Sequence, residues 1–261
     1  MAVEISLKGK NAIVTGAGAG IGKCISKRIA EAGANVYLVD LNEDAVKATA
    51  EEITALYGVR AGFCKCDVSK ADQVNAMADA AEAFLGRIDI LDHCAGIFTN
   101  CDFLTATEDD FMKMLVVNTL GTFLVDQAVI KKMIPNGTGK VVNMSSQTGK
   151  HGFPTNVGYT TSKFGVTGMT QSIANYCAKY NINVNCVCPG IVRTDIWNRV
   201  IDKMNAAGED GEAYFKSRLQ DIPLKREQTV EDIANMYVYL SSDFAVNMTG
   251  QSINITGGKI M

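Results

Sequence analysis

A tyrosine and a lysine stand four positions apart in the stretch GYTTSKFG, residues 158–165. Residues i and i+4 of an α-helix lie one above the other, so Tyr159 and Lys163 would share a face if this segment is helical. A neighbouring positive charge lowers a phenol's pKa, which makes Tyr159 a candidate acid–base group. The same spacing also occurs on ordinary helix surfaces, so the pair alone leaves both readings open. A second candidate is TGAGAGIG, with glycines at 16, 18, 20 and 22. Glycine there lets the backbone turn tightly and approach a pyrophosphate, whose charge sits at the N-terminus of the following helix. Asp40 ends the next apolar run, 18 residues beyond Gly22. A carboxylate so placed accepts hydrogen bonds from ribose hydroxyls and repels a 2′-phosphate. No basic residue interrupts the glycine loop, so NAD is expected over NADP.

The elements that must position these groups alternate along the chain. NAIVTG reads as a strand, IGKCISKRIAEAG as a helix closed by Gly33, and NVYLVD as a second strand. A helix capped by Asn42, the strand AGFCKCDV, the helix KADQVNAMADAAEAFLG and the strand IDILDHCAG follow. Later come GKVVNMSS, a long helix from about Tyr159 to Tyr180, the strand NVNCVCPG, a helix near Val230 to Ser241 and the strand QSINITGG. Strands separated by helices require crossover connections, hence a parallel sheet covered on both faces. The expectation is one doubly wound Rossmann-type α/β domain over residues 1–261, with seven parallel strands and an irregular, substrate-binding insertion near 193–228.

Bulk properties exclude several function classes. The chain has 261 residues, 47% hydrophobic and 20% charged, with a net charge of −3. That charge gives no footprint for nucleic acid or an anionic membrane. No stretch approaches ~20 consecutive apolar residues, and MAVEISLKGK lacks an apolar signal core, so a cytoplasmic protein is expected. Cys64 and Cys66, like Cys186 and Cys188, are paired two apart within apolar runs. This is the pattern of core residues on one strand face, not the paired C-x-x-C of a zinc site, and no metal is expected.

Five motifs in order give the chain a wider resemblance: T-G-x-x-x-G-x-G at Thr15 to Gly22, Asp67-Val68 after the third strand, Asn118 in VVNTLG, Ser146 thirteen residues before Tyr159, and P-G-x-V-x-T at Pro189 to Thr194. On these the chain resembles the short-chain dehydrogenases/reductases, from GKNAIVTGAGAGIG to GQSINITGG. One departure is His93-Cys94-Ala95-Gly96, where the family usually has Asn-Asn-Ala-Gly. His93 is expected to substitute structurally for an asparagine, and Cys94 to be an inert thiol.

The resemblance implies hydride transfer between a secondary alcohol and the nicotinamide C4, with Asn118, Ser146, Tyr159 and Lys163 as the catalytic set. Tyr159 would be the base in oxidation and the acid in reduction, its phenolate stabilised by Lys163 and the positive nicotinamide ring. Ser146 would hold the substrate oxygen, and Asn118 a water linking Lys163 to solvent. The implied NAD contacts are Gly16, Gly20, Ile21, Gly22, Asp40, Leu41, Asp67, Val68, Cys94, Ala95, Gly96, Tyr159, Lys163, Pro189, Gly190, Val192 and Thr194, with Thr194 and the backbone near Val192 fixing the carboxamide. It also implies a homotetramer assembled through the long helices and last strand.

Substrate contacts are expected from Ser146, Gln147, His151, Tyr159 and Trp197. SSQTGKHG, PGIVRTDIW and GQSINITGGKIM are similar to polyol, sugar-alcohol-phosphate and vicinal-diol dehydrogenases. A polyol or ketose, free or phosphorylated as in sorbitol-6-phosphate dehydrogenases, is the leading expectation, with Lys150 or Arg199 as phosphate contacts or solvated charges. The alternatives are acetoin/butanediol interconversion, a hydroxysteroid dehydrogenase, a 3-oxoacyl carrier-protein reductase and a non-catalytic NAD-binding regulator.

Overall fold

The computed structural model describes residues 4–154 and 156–261. Seven parallel strands form one sheet in the order β3-β2-β1-β4-β5-β6-β7. They are β1 (Asn11–Thr15), β2 (Asn35–Asp40), β3 (Ala61–Lys65), β4 (Ile90–His93), β5 (Gly139–Met144), β6 (Ile182–Pro189) and β7 (Ser252–Ile255). Burial on both sides explains their continuous apolar character. Ile13 faces one layer of core while Ala12 and Val14 face the other, the two-residue period of a pleated strand.

The helices divide between the faces. Helices α1 (Gly20–Glu31), α2 (Glu43–Tyr57) and α9 (Val230–Ser241) cover one; α3 (Ala71–Leu85), α5 (Gly121–Met133) and α6 (Val157–Cys177) cover the other. Because β1 neighbours both β2 and β4, the strand order reverses beside β1. Crevices at the carboxyl ends of strands beside such a reversal are where open α/β sheets take ligands.

Three departures from the sequence reading matter for the site. The segment 193–228 is not irregular: it folds as α7 (Asp195–Ala206) and α8 (Gly211–Leu219) around its own cluster of Ile191, Ile201, Phe215 and Ile222. Trp197 and Ile201 are one helical turn apart, a signal obscured by the Gly208 to Gly211 break. Cys66 lies just past β3 rather than in it, although it is buried as expected. The long helix starts at Val157 and ends at Cys177, and Ala178–Tyr180 tighten into a 3₁₀ turn.

Between β4 and β5, α4 (Glu108–Met114) runs through a wide π turn, Leu115–Leu120, into α5. Together they form a helix, 108–136, long and apolar enough by composition to cross a membrane. Half of its most apolar stretch is buried in this fold, and Asn118 and Asp126 face inward without exposure, as in the core helix of a globular domain.

Candidate active site

The glycine loop is shaped by contacts that leave no room for side chains. A Cβ on Gly22 would overlap the Gly16 carbonyl oxygen, and one on Gly16 would meet Ala95 N at 2.9 Å. Gly16 and Gly20 also hold left-handed φ values of 68° and 53°, which glycine adopts without steric cost. The N-terminus of α1 has no side-chain cap and no acidic residue in its first turn. Its free amides and positive dipole end are therefore available to an anion. Asp40 receives Gly18 N–H on Oδ2 at 2.9 Å and Asn42 N–H on Oδ1 at 2.9 Å. A carboxylate offers about four lone-pair sites, so acceptor capacity remains beyond these two bonds. Leu41 beside it is exposed and Ile21 is half-buried in the core. The donors and surfaces of this loop fit a dinucleotide.

The loop after β4 forms the adjoining wall. Thr15 Oγ1 accepts the amides of Cys94 and Ala95, both at 3.1 Å, and lies 2.8 Å from His93 Nδ1. A hydroxyl accepting two N–H groups has its own proton left to give, so His93 Nδ1 is the acceptor and Nε2 carries the ring proton. Burial, reinforced by the Lys163 charge, lowers the His93 pKa to about 3, keeping it neutral. The structural role expected of His93 is thus visible as a bond to Thr15. Burial drives the Cys94 thiol pKa up, leaving it without thiolate character.

Pro189 ends β6, and Gly190 after it approaches Gln228 and Thr256 so closely that a Cβ there would strike both. Val192 bridges to Gln228. Thr194 lies over the glycine loop, its methyl 3.8 Å from where a Gly20 Cβ would stand, and its side chain makes no cap bond to α7. Asp67 closes a local turn with one oxygen, Oδ1 accepting Ser69 N–H at 2.9 Å and Ser69 Oγ–H at 2.7 Å, and its Oδ2 retains acceptor capacity. Val68 packs under the π turn, within 3.1 Å of where a Gly121 Cβ would stand.

The fold brings together the four residues read as catalytic. Asn118, at the π turn, accepts Ile97 N–H on Oδ1 at 2.8 Å and donates from Nδ2 to Ile97 O and Ser162 Oγ, both at 3.0 Å. Its amide holds the β4 loop on α6, and one lone pair of Oδ1 remains beyond the bond to Ile97 N–H. Lys163 Nζ donates to Met144 O at 2.8 Å and lies 5.7 Å from the Tyr159 ring centre. A Cβ on Gly96 would stand 3.1 Å from Asn118 Oδ1 and 3.5 Å from Lys163 Nζ, so these groups adjoin the β4 loop.

Burial dominates the electrostatics of this pair in the chain without cofactor. Burial pushes the Tyr159 phenol up to about 12, against a smaller lowering by its hydrogen bond with Ser146. Burial also brings Lys163 down to about 8. Desolvation is the largest influence on both groups, and the protein alone holds Tyr159 as a neutral phenol at neutral pH.

Comparison with known proteins identifies the family. Residues 10–205 match the short chain dehydrogenase family model. The chain belongs to this family. It is 36% identical to a 3-oxoacyl-[acyl-carrier-protein] reductase of Aquifex aeolicus, covering 98% of this chain and 99% of the relative. It is 37% identical to a D-threitol dehydrogenase of Mycolicibacterium smegmatis, covering 98% and 94%. Among solved structures, an NAD⁺-bound xylitol dehydrogenase superposes with TM-score 0.92 at 31% identity over 96% of this chain and 99% of that one. An L-sorbose reductase of Gluconobacter frateurii, complexed with NADPH, superposes with TM-score 0.93 at 25% identity over 98% of each. The protein is an oxidoreductase of alcohol and ketone groups that uses a nicotinamide cofactor.

On the substrate side, this short-chain dehydrogenase treats the expected contacts unequally. Gln147 follows Ser146, and its Oε1 is buried with no hydrogen-bond partner among the described residues. His151 is exposed, its ring edge-on to Phe153 at 5.2 Å. Trp197 packs edge-on to Phe215 at 5.1 Å in the insertion's own core. Lys150 Nζ donates to the Ser252 carbonyl, and Arg199 is exposed. Phe98, unnoticed in the sequence, stands edge-on to Tyr159 at 5.0 Å; its only signal was its place two residues beyond Gly96.

Proposed function

We propose that this protein is an NAD-dependent dehydrogenase of a secondary alcohol with a neighbouring hydroxyl group, of the polyol, ketose or vicinal-diol class. The observation that carries the reading is Gln147 Oε1, buried without a hydrogen-bond partner among the described residues, on the residue that follows Ser146. A buried acceptor without a donor costs free energy, and a substrate hydroxyl next to the reacting carbon would satisfy it. Asp40 supports NAD over NADP, because its charge opposes a 2′-phosphate and its remaining lone pairs suit the ribose hydroxyls.

The cofactor, when bound, supplies the hydride acceptor for oxidation and the hydride donor for reduction. The chain's own residues do the rest. Gly16, Gly20 and Gly22 with the α1 amides bind pyrophosphate, and Thr194 with the Val192 backbone holds the carboxamide. Ser146 Oγ orients the substrate oxygen, and Tyr159 Oη takes its proton in oxidation or returns it in reduction. Asn118 fixes the β4 loop against α6, and Lys163 supplies positive charge beside the phenol. With the isolated phenol near 12, Tyr159 gains basicity only as positive charge accumulates beside it.

Leu120 of the π turn, Phe123 of α5 and Phe164 and Tyr176 of α6 are large hydrophobic side chains that remain exposed. They support assembly through these helices into a homotetramer, and light scattering at micromolar concentration checks it. The functional test is NADH formation across a panel of diols, polyols, their phosphates and hydroxysteroids with NAD and NADP. Turnover of a diol or polyol with NAD is expected; preference for NADP, or for substrates lacking the second hydroxyl, contradicts the reading.

A further inference from the structure

Two features near Tyr159 differ in character. Gln147, next in the chain to Ser146, carries a buried acceptor with no partner among the described residues. A cavity of about 310 Å³ opens with Tyr159 itself in its wall. Phe111 and Met114 of α4, Val157 at the start of α6, and Cys101 and Phe103 of the intervening loop line it. The cavity is at the lower end of the size range of ligand sites, and such sites are usually apolar with a few polar groups that fix orientation.

Several polar groups at this cavity are already paired. Thr99 Oγ1 donates to Met114 Sδ at 3.5 Å. Thr107 and Asp110 satisfy one another, Oγ1–H giving to Oδ2 at 2.7 Å while Asp110 N–H returns to Oγ1 at 3.1 Å. Most of the remaining wall is hydrocarbon, so a hydroxylated arm placed here would exchange water for carbon over much of its surface, which is unfavourable. Glu108 and Asp110 also border the cavity, and their charge opposes an anionic substituent. Hydrocarbon meets neither objection.

We propose that this cavity is a substrate subsite for an uncharged apolar substituent on the reacting carbon. The substrate is then a secondary alcohol with its hydroxyl-bearing flank toward Gln147 and its alkyl or alicyclic flank toward Phe111 and Met114. This rests on the reading that Tyr159 exchanges a proton with the substrate. It narrows the substrate class away from short polyols and phosphorylated sugars, in keeping with the engagement of Lys150 by the Ser252 carbonyl.

The test is a series of 2,3-alkanediols from butanediol to octanediol, with NAD and the full-length protein. Each methylene moved from water into the cavity should raise kcat/KM about fourfold, the equivalent of ~0.8 kcal/mol, until the cavity is filled. Threitol should fall below butanediol, because it presents a hydroxyl to the apolar flank. Val157→Phe, which adds bulk at the cavity wall, should lower the ratio of octanediol to butanediol at least tenfold, with the NADH dissociation constant reporting intact folding. A flat or falling series in an enzyme that oxidises butanediol overturns the subsite, as does an unchanged ratio in Val157→Phe. If no diol is oxidised although NADH binds, the diol reading of the substrate has failed instead. Binding to the enzyme–NADH complex then decides: affinity rising with chain length supports the subsite, and uniform affinity overturns it.

Discussion

The nucleotide end and the substrate end of this molecule are built on different principles. At the nucleotide end, the backbone makes the site: Gly16, Gly20 and Gly22 are required by close approach and left-handed φ, and Asp40 is held by two backbone amides. At the substrate end, side chains make it, and several are in unfavourable states: a buried lysine, a phenol with a raised pKa and an amide oxygen without a donor. A cradle of backbone tolerates no change and needs no partner to be formed. A cluster of desolvated side chains is poised, because bound ligands supply the charges and donors it lacks. The difference teaches where stability and function trade against each other in this fold.

Substitutions at the two ends should separate accordingly. The largest effect is expected of Gly22→Ala, whose Cβ overlaps the Gly16 carbonyl. Cofactor binding should fall below detection by NADH fluorescence, and overpacking should cost ~1–3 kcal/mol in urea unfolding; a variant that binds NADH normally breaks the comparison at the nucleotide end. Lys163→Met tests the other end through pH. The folded-state pKa of Lys163 lies near 8, below its ordinary 10.5, so between these values the unfolded chain binds the extra proton. Wild-type stability should therefore rise from about pH 8 to 10.5 by up to about 3 kcal/mol through this residue. The variant should lack that rise, and should also shift the pH–rate profile upward. Parallel stability curves for the two proteins would show that the lysine is not desolvated.

Smaller effects sharpen the contrast. Asp40→Ala should weaken NAD about tenfold or more, since hydrogen bonds to charged groups contribute ~1.5–3 kcal/mol, and should narrow the preference over NADP. Steady-state kinetics with both cofactors measure this, and unchanged discrimination removes Asp40 from cofactor choice. Gln147→Ala should leave stability within ~0.5 kcal/mol, because its oxygen has no partner to lose. It should lower kcat/KM for a diol more than for a simple secondary alcohol, and equal losses on both would mean that Gln147 shapes the loop without reading a hydroxyl.

The same contrast explains what was legible in the sequence. Glycine spacing, strand alternation and the Tyr159–Lys163 interval are local consequences of backbone geometry, so the sheet, the nucleotide turn and the placement of Tyr159 on α6 could be read directly. The π turn at Asn118 could not, because its bonds run to Ile97 and to Ser162, 44 residues away. Thr15 meets His93 across 78 residues of sequence, and the Phe98 contact and the cavity walled by Tyr159 depend on loops whose course no periodicity reveals. The raised pKa of Tyr159 was missed for a related reason: i,i+4 spacing reports the nearby charge and says nothing of the burial that opposes it.

The account stands most directly on one comparison of wild type with Tyr159→Phe, in which NADH binding and turnover of the best diol are measured on the same samples. Removing the phenolic oxygen should leave the NADH dissociation constant near the wild-type value, since the nucleotide end is built from backbone. Turnover should fall by at least ~100-fold, the lower range for loss of a general acid–base group. Near-normal turnover, or a loss of NADH binding that parallels the loss of activity, would contradict the division of labour proposed for this dehydrogenase.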